Sequence, residues 1–232
     1  MNIVKLSEQL LFQVRMQEPA TAPVEQLEAL PFDTLRLALD TDERKKAFWI
    51  NVYNAFFQLL RSEKKVSKPE IFRKKLIVIA GTAFSLDDIE HGILRRNRLK
   101  WASGYLPNPF ASIVLKQLAV SKLDFRIHFA LNCGARSCPP IAFYSPDKIE
   151  RQLETAMLAF LEAETEVFNE KNEIQITPLF QWYLGDFGGM RGVRRLLHEK
   201  LGLDTTEKRL ILNKYDWTEH LDNFSVLASC HQ

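Results

Sequence analysis

The stretch from Asp42 to Arg61 constrains this chain more than any other. Phe48, Trp49, Ile50, Val52, Tyr53, Ala55, Phe56, Phe57, Leu59 and Leu60 make it apolar nearly all round at helical spacing. A helix of that kind has no solvent face, so the remaining chain has to wrap it. Asp40 or Thr41 can cap its start, and the pattern runs to about Ser62. Asn51, Asn54 and Gln58 fall at i, i+3 and i+7, one polar stripe on an apolar rod. A buried amide left unpaired costs about 1–3 kcal/mol, so the stripe must find partners. It either satisfies loop backbone or orients a catalytic group or substrate. The two are compatible if the loop it pins is itself the site.

Around this helix the pattern mixes helices with short strands. Val4 to Met16 has helical apolar spacing, and Glu18 to Phe32, with Pro19, Pro23 and Pro31, breaks into turns and short helical pieces. Lys64 to Lys75 is basic and reads as a solvated connection. Leu76 to Ala80 and Thr82 to Phe84 flank Gly81 as a hairpin. Ser85 with Asp88 is a capping box opening a helix through about Asn97. Tyr105 to Phe110 is loop, and a short helix covers Ala111 to Leu118. Phe125, Ile127, Phe129 and Leu131 alternate with Arg126, His128, Ala130 and Asn132, the period of a strand. Ser145-Pro146 signals a helix to about Glu164. Glu166 to Phe168 and Glu173 to Ile176 form a second hairpin. Thr177-Pro178 opens a helical turn, Val193 to Leu201 is helical, and Arg209 to Asn213 is a last strand. These elements predict an α+β fold: one domain over residues 42–232, with the buried helix and several others packed on a small, mainly antiparallel sheet. Residues 1–41 are expected as an N-terminal helical extension packed on it.

With 232 residues, 46% of them hydrophobic, the chain can bury one sizeable core. Lys plus Arg number 31 against 29 Asp plus Glu, so nothing demands nucleic acid. No apolar run approaches the roughly 20 residues needed to span a bilayer. The N-terminus is too polar for a signal peptide, and three cysteines make no disulfide framework. A cytoplasmic protein without nucleic-acid or membrane partners and without a cofactor is expected. Cys230 is expected to be merely exposed.

Chemistry concentrates in two places. The first is the run FRIHFALNCGARSCPP, Phe125 to Pro140, with His128, Cys133 and Cys138 close together. Cys133 precedes Gly134, which frees the backbone, and Arg136 is near enough in sequence to lower a thiol pKa. Free cysteines are also common as small buried hydrophobes. The second is His91, which shares a helix face with Asp87 and Arg95 and follows Asp88 by three residues. A carboxylate there would fix its tautomer and raise its basicity. Otherwise it is a surface histidine with salt-bridged neighbours. A metal set of His128, Cys133, Cys138 and His91 lacks the short Cys-x2-Cys clip of structural zinc, and no metal is expected. Trp182 and Tyr183, beside Asp186, read as core with Asp186 capping the next segment, or as the wall of a pocket.

Four segments together resemble the domain-of-unknown-function family numbered 547. They are AFWINVYNAF (Ala47 to Phe56), FSLDDIEHGILR (Phe84 to Arg95), HFALNCGARSCPPI (His128 to Ile141) and LFQWYLGDFG (Leu179 to Gly188). The resemblance implies the domain and no activity. It implies that Glu90-His91 and Cys133-Gly134 are the family's firmest anchors and that serine can replace Cys138, which ranks Cys133 above Cys138.

Two functions follow. In one, Cys133 is the nucleophile and His91 the general base of a thiol-dependent hydrolase or acyltransferase. Asn51 and Asn54 then orient the base or donate to an oxyanion, with Glu90, Arg95, His128, Arg136, Cys138, Trp182 and Tyr183 supporting or binding substrate. In the other, the same Cys, His and Asn side chains are a buried network in a non-catalytic binding or scaffolding module. By analogy, a central apolar helix beside a small sheet suggests a papain-like or transglutaminase-like fold. Those folds carry the cysteine on the helix, ahead of the histidine, and here His91 precedes Cys133.

Overall fold

The apolar rod is α4 (Asp42–Ser62), capped by Thr41, whose side chain accepts from the Arg44 N–H at 3.3 Å. Every residue from Lys46 to Leu60 is buried, so the helix is covered on all sides. A computed structural model describes residues 2–225. Cys230 lies outside them.

Ahead of the rod come α1 (Ile3–Arg15), α2 (Thr21–Glu28) and α3 (Phe32–Ala38). α1 lies along α4, with Leu10 and Leu11 fully buried. After α4 come α5 (Glu70–Arg73) and the hairpin β1 (Ile77–Ile79) and β2 (Thr82–Phe84), paired Ile77 to Phe84. Gly81 turns this hairpin at φ +67° with open space around it. The middle of the chain holds α6 (Ile113–Leu118), then α7 (Ile149–Glu164). A second sheet contains β3 (Glu166–Phe168), β4 (Glu173–Ile176) and β5 (Arg209–Leu212). β3 and β4 form an antiparallel hairpin. β5 joins β4 in parallel, because α8 (Leu179–Trp182) and α9 (Gly189–Leu201) supply the crossover that parallel pairing needs. The α+β class holds. The expected single sheet is instead two small ones, and its last strand is parallel.

Two apolar clusters make the core. One surrounds α4 with α1 and the first hairpin. The other joins α7, β4, α8 and α9 through Met157, Leu161, Ile174, Phe180 and Leu197. Phe125 to Phe129 runs along the seam and is a 3-10 helix, which overturns the strand expected there. Ile127 and Ala130 belong to the first cluster and Phe129 to the second. With cores on more than one side, His128 is also buried, and the alternation is not that of a half-buried strand. Among the described residues no strand pairs with it either. The Ala130 carbonyl accepts from Asn54 Nδ2 at 2.9 Å, and the Asn132 N–H donates to Asn54 Oδ1 at 2.9 Å.

Residues 85–97 also differ from the helix expected there. The capping box forms as read: Ser85 N–H donates to Asp88 and Asp88 N–H to Ser85 Oγ, each at 3.0 Å. The helix it opens, however, is a π-helix, Asp88–Leu94. The Arg95 N–H reaches back five residues to the Glu90 carbonyl at 2.8 Å, and the Asn97 N–H to that of Gly92. Such stretches are rare and occur often at functional sites. A Cβ on Gly92 would meet Leu115 of α6 at 3.0 Å, so glycine admits this close packing. α7 begins at Ile149, later than the Ser145-Pro146 signal, and Gln152 in its first turn accepts from the Ser145 N–H at 3.0 Å.

Candidate functional site

Asn54 is the hinge between rod and loop. By holding Ala130 and Asn132 it sets where the chain leaves the 3-10 helix. Asn132 then braces the loop itself, donating to the Pro139 carbonyl at 2.8 Å and accepting from the Gly134 N–H at 2.8 Å. Gly134 sits at φ +70°, and a Cβ there would lie 2.5 Å from Phe57 Cε1 on α4. Only glycine meets both demands. Asn51 clamps a more distant point, exchanging two hydrogen bonds with the Tyr144 backbone at 2.8 and 3.0 Å. Gln58 Oε1 accepts from the Asp222 N–H at 3.3 Å. The amide stripe therefore satisfies main chain, and neither Asn51 nor Asn54 lines the pocket described next.

A cavity of about 190 Å³ brings together Glu90, His91, His128, Cys133 and Cys138. Tyr53 of α4 and Asp87 also line it, and Trp182, Tyr183, Tyr215 and Trp217 form an aromatic wall. Trp182 stacks on Trp217 with centroids 5.5 Å apart and meets Tyr215 edge-on at 4.9 Å. Trp182 and Tyr183 line the pocket and also pack against the second apolar cluster, so both placements read from the sequence are present. Tyr215 and Trp217 reach the site because residues 214–225 strap across the cysteine loop. Arg136 N–H donates to the Thr218 carbonyl at 2.9 Å, and His220 N–H to that of Gly134 at 2.9 Å.

Cys133 is half-buried and Cys138 buried. The Tyr215 hydroxyl touches both sulfurs, at 3.7 and 3.2 Å, and the Cys133 N–H donates to Cys138 Sγ at 3.1 Å. The Cys138 thiol stabilises charge on the Cys133 sulfur. Burial opposes this, and the Tyr215 hydroxyl, the Ala135 N–H and Lys68 add to it, so Cys133 falls to about 6. Cys138 is pushed well above the ordinary thiol value by the neighbouring Cys133 and by burial. The cation near Cys133 is therefore Lys68. Arg136, which the sequence suggested, is exposed and lines a different cavity.

His91 is buried rather than on the surface. Its Nδ1 accepts from Arg95 Nη1 at 2.8 Å, so an arginine, and no carboxylate, sets the tautomer. The proton then sits on Nε2, which stands 3.6 Å from Asp87 Oδ1. Burial lowers the His91 pKa. Glu90 opposes this and Arg95 reinforces it, leaving the ring neutral at pH 7. Asp88 is occupied at the capping box.

Behind the pocket lies a buried charge network. Arg95 is fully buried and pairs through Nε with Asp186 Oδ2 at 2.6 Å. The His128 Nε2–H donates to the same oxygen at 2.8 Å, and its ring stacks on Tyr183 at 3.7 Å. Burial lowers His128 against the pull of Asp186. Glu90 accepts from the Tyr183 hydroxyl at 2.7 Å and the Tyr53 hydroxyl at 3.4 Å. Burial works to raise its pKa, but His91, Tyr183, His128 and Arg95 outweigh this and keep it ionised. Asp186 does not cap the following helix, which starts from Gly188 with no side-chain cap. Among the described residues, no group of three or more His, Cys, Asp or Glu side chains is placed to hold a metal ion. The His128/Cys133/Cys138/His91 set is therefore not assembled.

Tyr53, Lys68, Tyr215 and Trp217 also belong to the site, beyond the residues expected from the sequence. The only signal for the last two was the aromatic spacing in Tyr215-Asp-Trp217, just beyond the last strand.

Fold and site define an α+β protein with two thiols in an aromatic-walled pocket. The chain matches the family described as "Protein of unknown function, DUF547" over residues 38–161, more than half its length, and belongs to that family. Glu90, His91, His128, Cys133 and Cys138 fall inside the match, while Tyr183, Asp186, Tyr215 and Trp217 lie beyond it. Searches of curated proteins and of solved structures give no match. α4 carries Asn51 and Asn54 and no cysteine. No helix among the described residues is long and apolar enough to cross a membrane.

Proposed function

We propose that the protein is a thiol-dependent acyltransferase or hydrolase with Cys133 as its nucleophile. The observation that carries this reading is that Cys133 and His91, 42 positions apart in sequence, line one small pocket. With its pKa drawn down to about 6, Cys133 favours the thiolate at pH 7. It needs no general base. His91 cannot serve as one while Arg95 occupies its Nδ1 lone pair. Its role becomes that of a neutral donor, the Nε2–H stabilising the oxyanion that forms when sulfur adds to an acyl carbon. Asn51 and Asn54 act at one remove, as positioning residues for the loop and its surroundings.

Burial lowers both pocket histidines, so neither stands ready as an imidazolium to protonate an amine leaving group. Acyl donors whose leaving groups depart unprotonated, thioesters and activated esters, therefore suit the site better than amides. A volume of about 190 Å³ is below the usual 300–1,000 Å³ range of ligand pockets and suits a short acyl group. Sulfur adds to the acyl carbon, the leaving group departs as an anion, and water or an acceptor nucleophile resolves the thioester.

The rival reading, a binding or scaffolding module, draws on the burial of the Arg95–Asp186–His128 network and the use of Asn51 and Asn54 on main chain. Alkylation at Cys133 read by mass spectrometry across pH, with p-nitrophenyl acetate acylation alongside, separates the two. A rate titrating near 6 with a Cys133 acetyl adduct supports the enzyme. A thiol inert until the protein unfolds sinks it and leaves the module.

A further inference from the structure

We propose that Cys133 and Cys138 also form a reversible disulfide, with Cys133 the thiol attacked by hydroperoxides and Cys138 the thiol that resolves it. This rests on the reading of Cys133 as a nucleophile, but not on acyl substrates.

The geometry is that of a pair. The positive φ of Gly134 and the hydrogen bond from Cys138 N–H to the Ala135 carbonyl, at 3.0 Å, fold the loop back on itself. That brings Cys138 Sγ 3.1 Å from the Cys133 backbone nitrogen, and both sulfurs against one hydroxyl, Tyr215. The two sites differ as attack and resolution require. Cys133 is half-exposed and Cys138 is buried. The first is held as thiolate and the second as thiol, so oxidation starts at one defined sulfur. The pocket that both line admits a small peroxide.

The steps balance. The Cys133 thiolate attacks one oxygen of the hydroperoxide, an S–O bond forms, the O–O bond breaks, and the alkoxide or hydroxide leaves to be protonated by solvent. Cys133 is then a sulfenic acid. The Cys138 sulfur attacks it, an S–S bond forms, the S–O bond breaks, and hydroxide departs with the Cys138 proton as water. The peroxide is reduced and the two thiols are oxidised. Two equivalents of a small thiol reverse the change by exchange and are themselves oxidised to a disulfide. The disulfide needs sulfurs about 2.05 Å apart, so closure draws the two sulfurs together beside the Tyr215 hydroxyl that already touches both. The oxidised protein has no free Cys133 and cannot be acylated there.

The test uses the full chain carrying Cys230→Ser, reduced, chelator-treated and then exposed to hydrogen peroxide. Free thiols are capped with maleimide and the protein is mapped by mass spectrometry. The expected result is a linked Cys133–Cys138 peptide that dithiothreitol reverses. Cys138→Ser should instead accumulate a dimedone-trapped sulfenic acid at Cys133, and Cys133→Ser should leave Cys138 a free thiol. Cys133 oxidised without a link in the unsubstituted pair, or both thiols untouched, overturns the proposal. The p-nitrophenyl acetate adduct on reduced protein is scored separately. A disulfide without an adduct keeps this proposal and ends the acyl reading, and an adduct without a disulfide does the reverse.

Discussion

Replacing Asp186 by Asn tests whether the buried network holds the pocket together. The Asp186 carboxylate and the Arg95 guanidinium are both fully buried and meet at 2.6 Å. Asp186 Oδ2 also takes the His128 proton at 2.8 Å. Asn keeps the shape and removes the charge, so Arg95 is left as a buried cation. Its remaining neighbours are the neutral His91 ring, the face of Tyr183, 4.8 Å from the guanidinium carbon, and the more distant Glu90 carboxylate. Removing one partner of a buried pair costs about 3–5 kcal/mol. For a chain of this size each kcal/mol lowers Tm by about 2–4 °C, so Asp186→Asn should melt roughly 6–20 °C below wild type. Arg95→Met with Asp186→Asn removes both charges and should recover part of that loss, because no buried cation is left without its carboxylate, while Glu90 gives up the attraction of Arg95. Circular dichroism melts and urea titrations of wild type, both singles and the double complete the cycle. A single variant within about 1 kcal/mol of wild type, or a double no better than the single, would refute the argument.

Burial lowers His91 and His128. Their contribution to stability is therefore complete above the unfolded histidine value of about 6.5 and is lost as pH falls through the folded values. Urea midpoints should drop between pH 7 and 5, and His128→Gln should flatten that slope. Burial tends to raise Asp124, but Arg126 and Lys46 overcome it and hold the carboxyl at about 2. That adds roughly 2–3 kcal/mol above the unfolded value, lost on acidification, and Asp124→Asn should remove it in acid titrations. Asn54→Ala orphans the Ala130 carbonyl and the Asn132 N–H. At about 1–3 kcal/mol each, equilibrium unfolding should show a loss of several kcal/mol, with altered Cys133 alkylation. Tyr215→Phe removes a hydroxyl that helps lower Cys133, so the alkylation midpoint should move upward from about 6 with little change in melting.

Much of the architecture was legible because it rests on local chemistry. The all-apolar face pattern of α4, its Thr41 cap, the Ser85–Asp88 box and the hairpin at Gly81 depend on neighbours a few residues apart. The sequence also marked His91, Cys133 and the amide stripe, because such residue types are unusual in apolar or glycine-bearing surroundings. Other features depended on contacts between distant segments. Phe125 to Phe129 coils instead of extending, covered by two cores, and just beyond it Asn54 holds the Ala130 and Asn132 backbone groups. The π-helix at Asp88–Leu94 reflects packing of Gly92 on Leu115 that no local pattern encodes. The chemistry of the site was settled later still. Arg95 chooses the His91 tautomer, Asp186 holds Arg95 from 91 positions away, and Tyr215 joins the two thiols from 77 positions beyond Cys138. Residue types were written in the chain, but protonation states depend on which charges and hydroxyls the fold brings within a few ångströms, and only the tertiary structure decides that.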